Sequence, residues 1–263
     1  MSRWWCVQLF WLSLYLSCSA HLYPVPENPI SDSDILLRRF QERCSKFHGM
    51  SAEARMEGYS KSGHFRGRVL LIAERGKRLR IEAWTPTDQL VATLVADKDG
   101  FMYFDVARSE CILGRACEEN LQGFLPAGLK VQDSASALFG IPVLFAPEGG
   151  FSIAFDRKVG AYLLKSRVEG GGVQKVWITE DGKPLKTEVS QNGKLFYRME
   201  TTWMEDGSFP KTIAIHVPRT KSDLFIRYKN VDVSYEPSDE DFEKVCPDGM
   251  KIFEAVCKDE GSL

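Results

Sequence analysis

Net charge is almost absent from this chain of 263 residues, in which 34 basic and 36 acidic side chains leave a formal −2. Such a balance offers no field to a polyanionic backbone, so no nucleic-acid partner is expected. Histidine is scarce and scattered, at His21, His48, His64 and His216, and no CxxC occurs. Zinc sites need close cysteine or histidine spacing, so no metal and no other cofactor is expected. Catalytic signatures are also missing: there is no HExxH, GxSxG, Walker loop or GxGxxG after a strand, and the triple glycine Gly170–Gly172 reads as a loop. Acidic residues are spread over hairpin ends, where they serve as turn formers, and no pair stands out as acid and base. The expectation is that the chain is not an enzyme, with a glycosidase of sequence-remote carboxylates as the reading left open.

Long apolar runs are confined to the first twenty residues. There Arg3 precedes an apolar stretch ending in small residues, the layout of an export signal, and the run is short for an anchor needing about 20 apolar residues. Two cleavages compete. Leu16-Ser17-Cys18 resembles a lipobox, which would place the signal at 1–17 and an acyl group on Cys18, whereas Cys18-Ser19-Ala20 would serve an ordinary peptidase and extend the signal to residue 20. Residues 18–31 carry three prolines and read as an extended tether, about fifteen residues at ~3.1 Å each spanning roughly 45 Å.

What the chain does have is enough apolar content, 44% hydrophobic against 27% charged, to bury a core. Its 21 Gly and 12 Pro, dispersed among alternating apolar residues, favour strands and turns within one domain, placed at 32–236. Asp32–Phe47 opens on capping residues and sets Ile35, Leu36, Phe40 and Phe47 on a helical stripe. Period-two segments follow, as at Arg78–Glu82, punctuated by Asp99-Gly100, Asp181-Gly182, Asn192-Gly193 and Asp206-Gly207, where glycine supplies positive φ for tight hairpins. An antiparallel meander with one apolar face results. Between Cys117 and Phe145 the period turns helical, predicting helices over Glu118–Phe124 and from Asp133 or Ser134 to Gly140. Strand phase taken from the charged positions turns Leu195, Tyr197, Met199 and Trp203 inward on one strand and Leu224, Ile226 and Tyr228 on another. Residues 237–263 begin with an acidic run and read as a solvated tail. Export permits disulfides, and the simplest connectivity for Cys111, Cys117, Cys246 and Cys257 is local, 111 with 117 and 246 with 257, leaving Cys44 over; pairing itself does not follow from sequence.

The run GKRLRIEAWTPTDQLVATLVADKDGFMYFDV, followed by CEENLQGFLPAGLK and ALFGIPVL, resembles the LolA/LolB family of bacterial lipoprotein carriers and receptors, over about Ser51 to Leu144. The resemblance implies a mainly β fold: an incomplete antiparallel β-barrel with a helical lid enclosing an apolar cavity for lipoprotein acyl chains. Candidate cavity residues are Leu79, Ile81, Leu94, Leu138, Phe139, Ile141, Tyr197, Met199 and Trp203. Arg75 stands where soluble carriers have an arginine that holds the lid. The loop that in receptors presents an apolar residue to the membrane has Thr87 at its tip, with Trp84 and Leu90 as neighbours. The implied protein is a monomer handling acyl chains at the periplasmic face of the outer membrane through a lipidated Cys18, or a soluble periplasmic form. The competing class is a structural or interaction module whose barrel is filled by side chains. Intact-mass analysis of the mature protein is expected to show a chain beginning at Cys18 with added lipid mass; a chain beginning at His21 would remove the anchor.

Overall fold

The period-two segments pair into one sheet. The computed structural model describes residues 22–60, 63–122, 124–125 and 129–257; the signal and Cys18 lie outside them. Ahead of the sheet stands helix α1 (Ser33–Cys44), then β1 (Gly49–Ser60), β2 (Gly63–Glu74), β3 (Arg78–Trp84), β4 (Leu90–Ala96), β5 (Gly100–Asp105) and β6 (Glu110–Arg115). Two helices intervene, α2 (Glu118–Leu121) and α3 (Val131–Ala137). The second run is β7 (Pro147–Asp156), β8 (Ala161–Val168), β9 (Gly172–Ile178), β10 (Pro184–Gln191), β11 (Lys194–Trp203), β12 (Pro210–Val217) and β13 (Ser222–Asp232), with β14 (Lys251–Ala255) last. Their spatial order is β14-β6-β5-β4-β3-β2-β1-β13-β12-β11-β10-β9-β8-β7, so β1 against β13 joins the two runs and the curved sheet stays open at β14 and β7.

Turn chemistry follows the sequence with one exception. Asn192-Gly193 is a two-residue connection with φ of 49° and 72°, and Gly182 and Gly207 are likewise left-handed. At Asp99-Gly100 the turn is instead made by the Asp97 carboxylate, which accepts from the backbone N–H of Asp99 and Gly100 at 2.9 Å each. Glycine is needed there for space, since a Cβ would lie 3.0 Å from the Gly114 carbonyl.

Alternation then sorts the side chains by face. Inward residues of β1–β5 and β10–β13 form one core with α2 and α3, including Met50, Leu71, Leu79, Phe101, Tyr197, Met199 and Ile226. Both helices are shorter than the sequence suggests. α3 begins at Val131 after Lys130, so Asp133 falls inside its first turn rather than capping it, and its end is a turn closed by Gly140 at φ 71°. α1 is capped by Asp32, whose carboxylate accepts from the Asp34 N–H at 2.9 Å. Its buried stripe is Leu36, Phe40 and Cys44, packed on Tyr162, Leu164, Val176 and Ile178, while Ile35 is exposed and Phe47 lies beyond the helix end in the main core. Burial pushes the unpaired Cys44 thiol up to about 12, opposed by the nearby Arg75 and Arg43, so it packs as a small apolar group.

The C-terminal residues are not a solvated tail. They cross the outer face of β2–β6, where Phe242 is buried with Ile72, Val95, Met102, Phe104 and Cys111, and Tyr235 and Met250 pack alongside. Charged groups on the strap find partners: Arg78 donates to Asp239 at 2.7 Å and stacks over the Phe242 ring, and Lys244 of the strap pairs with Asp97. The chain then adds β14 parallel to β6, with Ile252 opposite Cys111 and Ala255 opposite Gly114. This overturns the local disulfides: Cys111 bonds Cys246 and Cys117 bonds Cys257, with Cα–Cα distances of 5.9 and 6.2 Å. The reason is extension. Cys111 and Cys117 are separated by a strand, and six residues at ~3.3 Å span roughly 20 Å, far beyond a disulfide's reach. The strap instead brings Cys246 over Cys111 from the outer face, and the end of the parallel strand β14 brings Cys257 to Cys117. At the other terminus, Tyr23 exchanges hydrogen bonds with Arg157 and the Ile30 N–H donates to the Tyr162 hydroxyl, so the proline-rich stretch from residue 23 lies against the sheet rather than standing off it.

Peptide mapping without reduction is expected to recover only 111–246 and 117–257 linked peptides. Replacing Cys111 and Cys246 by alanine should cost about 2–5 kcal/mol, read by denaturant unfolding. Burial pushes the Asp97 carboxyl up, but Lys244 and the N–H groups of Gly100 and Asp99 outweigh it and hold it below the usual range. Its stabilisation is therefore present above the ordinary carboxylate value and lost as pH falls through the depressed one. Asp97→Asn should lower Tm at neutral pH by roughly 2–4 °C, and thermal scans of the two proteins should converge in acid.

Candidate functional site

Most of the inner face is filled by its own side chains and the helices, and one end of it is hollow. At one end of the β1–β2 hairpin the inward positions include Gly58 and, on β3 and β4, Ala83 opposite Ala92. A cavity of about 400 Å³ opens there. Its apolar wall includes Met56, Phe65, Ile81, Leu94, Tyr103 and Leu224, and the segment after α2 covers it with Phe124 and Leu125. Phe124 is set by its ring contact with Tyr103, centroids 4.4 Å apart, and by the Phe124 and Leu125 N–H groups donating to the Leu121 carbonyl. Phe65 lies back along its own strand over Gly67, where a Cβ would come within 2.9 Å of the ring. At Gly58 a Cβ would meet nothing closer than 3.9 Å, so this glycine leaves space that no neighbour takes.

The rim is polar. Tyr59, Ser60, His64, Arg108, Gln122, Ser222 and Asp223 stand around the opening. The Tyr59 and His64 rings stack at 4.2 Å, and the Tyr59 hydroxyl donates to Glu57 at 2.5 Å, holding that carboxyl below its ordinary range. His216 and Asp223 pair at 2.5 Å. Burial pushes the Tyr103 hydroxyl up within the wall. The rim thus carries both signs, each with a partner, around an apolar interior. Among the described residues no three His, Cys, Asp or Glu side chains gather as a metal site.

Two of the sequence candidates, Ile81 and Leu94, line this cavity. The others sit elsewhere. Leu79, Leu138, Phe139, Tyr197 and Met199 are buried against one another in the filled core, and Ile141 bridges that core and the α1 cluster. Trp203 lies under α1, with Arg43 at 4.4 Å over its ring and its indole N–H donating to the Pro184 carbonyl at 2.9 Å. The reason is α3, which fills the space the sequence reading left for a ligand. Its end is held by the Tyr228 hydroxyl, donating to the Leu138 carbonyl at 2.6 Å, and the fully buried Gln174 grips the following segment through Val143 and Phe145. The cover over the cavity is therefore the α2 segment, not α3. Arg75 donates to the Phe47 carbonyl at 2.5 Å and so fastens the α1–β1 junction rather than either helix. Around Thr87 the loop is polar, the Trp84 indole donates to the buried Glu82 on the outer face, and Leu90 packs with the cluster beneath the C-terminal strap. The residues that the sequence reading missed, Met56, Phe65, Tyr103 and Phe124, are marked by the small inward neighbours that leave room beside them.

No protein-family model matches the sequence, and no curated protein matches it. Solved structures do. A DUF1329 family protein from Desulfovibrio piger superposes with a TM-score of 0.52 at 14% identity, covering 80% of this chain and 95% of that one. A candidate outer membrane lipoprotein-sorting protein domain from Vibrio parahaemolyticus gives 0.50 at 13%, covering 79% and 96%. A LolA superfamily protein from Nitrosomonas europaea gives 0.48 at 13%, covering 82% and 98%. With an open curved sheet, antiparallel except at β14, carrying short helices on its inner face, the chain has the LolA-like fold that its sequence resembles.

Proposed function

We propose that this protein is a bacterial envelope protein that binds acyl chains, those of lipoproteins first, in the cavity beneath the α2 segment, without catalysis. The observation that carries the reading is an apolar cavity of about 400 Å³ with a polar rim, set in a LolA-like sheet. Acyl chains need apolar area and no reacting group, and each buried methylene contributes about 0.8 kcal/mol. The fold's likeness to a domain named for outer membrane lipoprotein sorting supports the envelope and the lipoprotein cargo. In this reading a lipidated Cys18 holds a monomer at the periplasmic face of the outer membrane, and a protein processed at His21 acts as a soluble carrier.

The filled core around Leu79, Leu138 and Tyr197 favours the second reading, an interaction module without a ligand. One experiment separates the two. The protein lacking its signal is expected to bind a fluorescent fatty-acyl probe. Phe124→Glu and Leu224→Glu, each half-buried at the cavity wall, should weaken binding at least tenfold while Tm moves by only a few degrees, because an empty cavity leaves the carboxylate hydrated and a bound chain strips it. Leu138→Glu should unfold the protein, since that side chain is only 4% exposed. No probe binding by the unaltered protein would favour the module.

A further inference from the structure

We propose that the cavity accepts one acyl chain at a time and measures its length, so that the ligand is a single-chain amphiphile or one chain of a larger lipid; this rests on the acyl-binding reading above. The first argument is volume. A methylene fills about as much space as a water molecule, roughly 30 Å³, so about 400 Å³ holds roughly 13 methylenes, one chain of ordinary length and not two.

The second argument is that the walls have nowhere to go. Beside Ile81 and Leu94 the same inner face is filled by Leu71, Leu79 and Phe101, each almost without exposure, and the outer face of these strands is backed by Ile72, Val95 and Met102 under Phe242, at interior packing density. Room for a second chain would have to come from the α2 segment. That segment is fastened at its start: Cys117, the residue preceding α2, is bonded to Cys257. Asn120 inside α2 donates to the Arg115 carbonyl at 3.0 Å and to the Ala255 carbonyl at 3.3 Å. Arg219 pairs with Glu118 at 2.9 Å across the sheet. The cover is thus tied to β6, β14 and the β12–β13 turn, and the cavity keeps its width.

The third argument is Gly58. It is an inward position at which an added side chain meets open space, with its nearest contacts, the Asp223 carbonyl and Leu224 Cδ1, at 3.9 Å, and unlike Gly63 on the same cavity it has no positive φ to strain. A side chain there would occupy the ligand's volume without displacing protein.

The test is a chain-length series. Saturated fatty acids and monoacyl lysophospholipids from C8 to C18, a diacyl phospholipid and a synthetic triacylated lipopeptide would each be titrated into the protein lacking its signal, with native mass spectrometry for stoichiometry. Affinity should rise about fourfold per added methylene and level off near C14, at one chain per protein. Gly58→Leu should bring the plateau about four carbons earlier with Tm unchanged within a few degrees. Equal plateaus for fatty acid and lysophospholipid place recognition in the chain; a preference for the lipopeptide at one site identifies protein-bound lipid as the source, and a preference for lysophospholipid identifies membrane lipid, all with one chain held. Affinity still rising at C18, two chains per protein, or a plateau unmoved by Gly58→Leu would overturn the single-chain proposal while leaving acyl binding intact. Failure of every ligand to bind would overturn both.

Discussion

The size of the side chains at the inward positions of one curved sheet governs what the molecule has to offer. Alternation along the strands turns every second residue to the inner face, and a close-packed interior tolerates no gap unless the chain supplies small residues to leave one. Over most of the face Leu, Phe, Tyr and Met fill the space, and α3 packs in with them and with small inward residues such as Ala54 and Ala73. At one end the chain supplies Gly58, Ala83 and Ala92, and the cover is the short α2 segment bearing Phe124 and Leu125. Filled core and hollow site are two ends of the same surface, so the rigidity of the first fixes the dimensions of the second.

An open sheet of fourteen strands also has an outer face and two edges to protect. The chain solves half of this with its last residues. Phe242 and its neighbours bury the outer side of β2, β4, β5 and β6, where Ile72, Val95, Met102, Phe104 and Cys111 are apolar, while β3 offers Arg78 and Arg80 to the strap, and β14 covers the edge of β6. The disulfides sit at the two ends of that parallel pair. One secures the strap under the sheet through the fully buried Cys111, and the other secures the base of the cavity's cover through Cys117. The strap is thereby linked mechanically to the site on the opposite face.

Local chemistry was legible along the chain. Asp32 as a cap, the Asn192-Gly193 turn, the inward phase of Tyr197 and Met199 and the helical character after Cys117 all follow from interactions within a few residues, where propensity and hydrogen-bond options act directly. The half of the sheet with two apolar faces was hidden, because Ile72, Val95 and Met102 read as continuous hydrophobicity until the segment that covers them is known. The acidic run after Pro237 misled for the same reason: Arg78 reaches Asp239, and Arg80 the Asp241 carbonyl, only after the strap crosses strands 161 positions away in sequence.

The sequence by itself determined the mainly β class, the hairpins, the apolar inner face and the absence of any familiar catalytic signature, since each depends on residue type and short-range spacing. Tertiary structure alone decided which cysteines meet, because an extended strand holds Cys111 and Cys117 apart while the strap delivers Cys246 and the end of β14 delivers Cys257. It also decided that Leu138 and Tyr197 are core while Ile81 and Leu94 face a cavity. All four are inward and apolar, and only the volume of what stands opposite separates a buried side chain from the wall of a site.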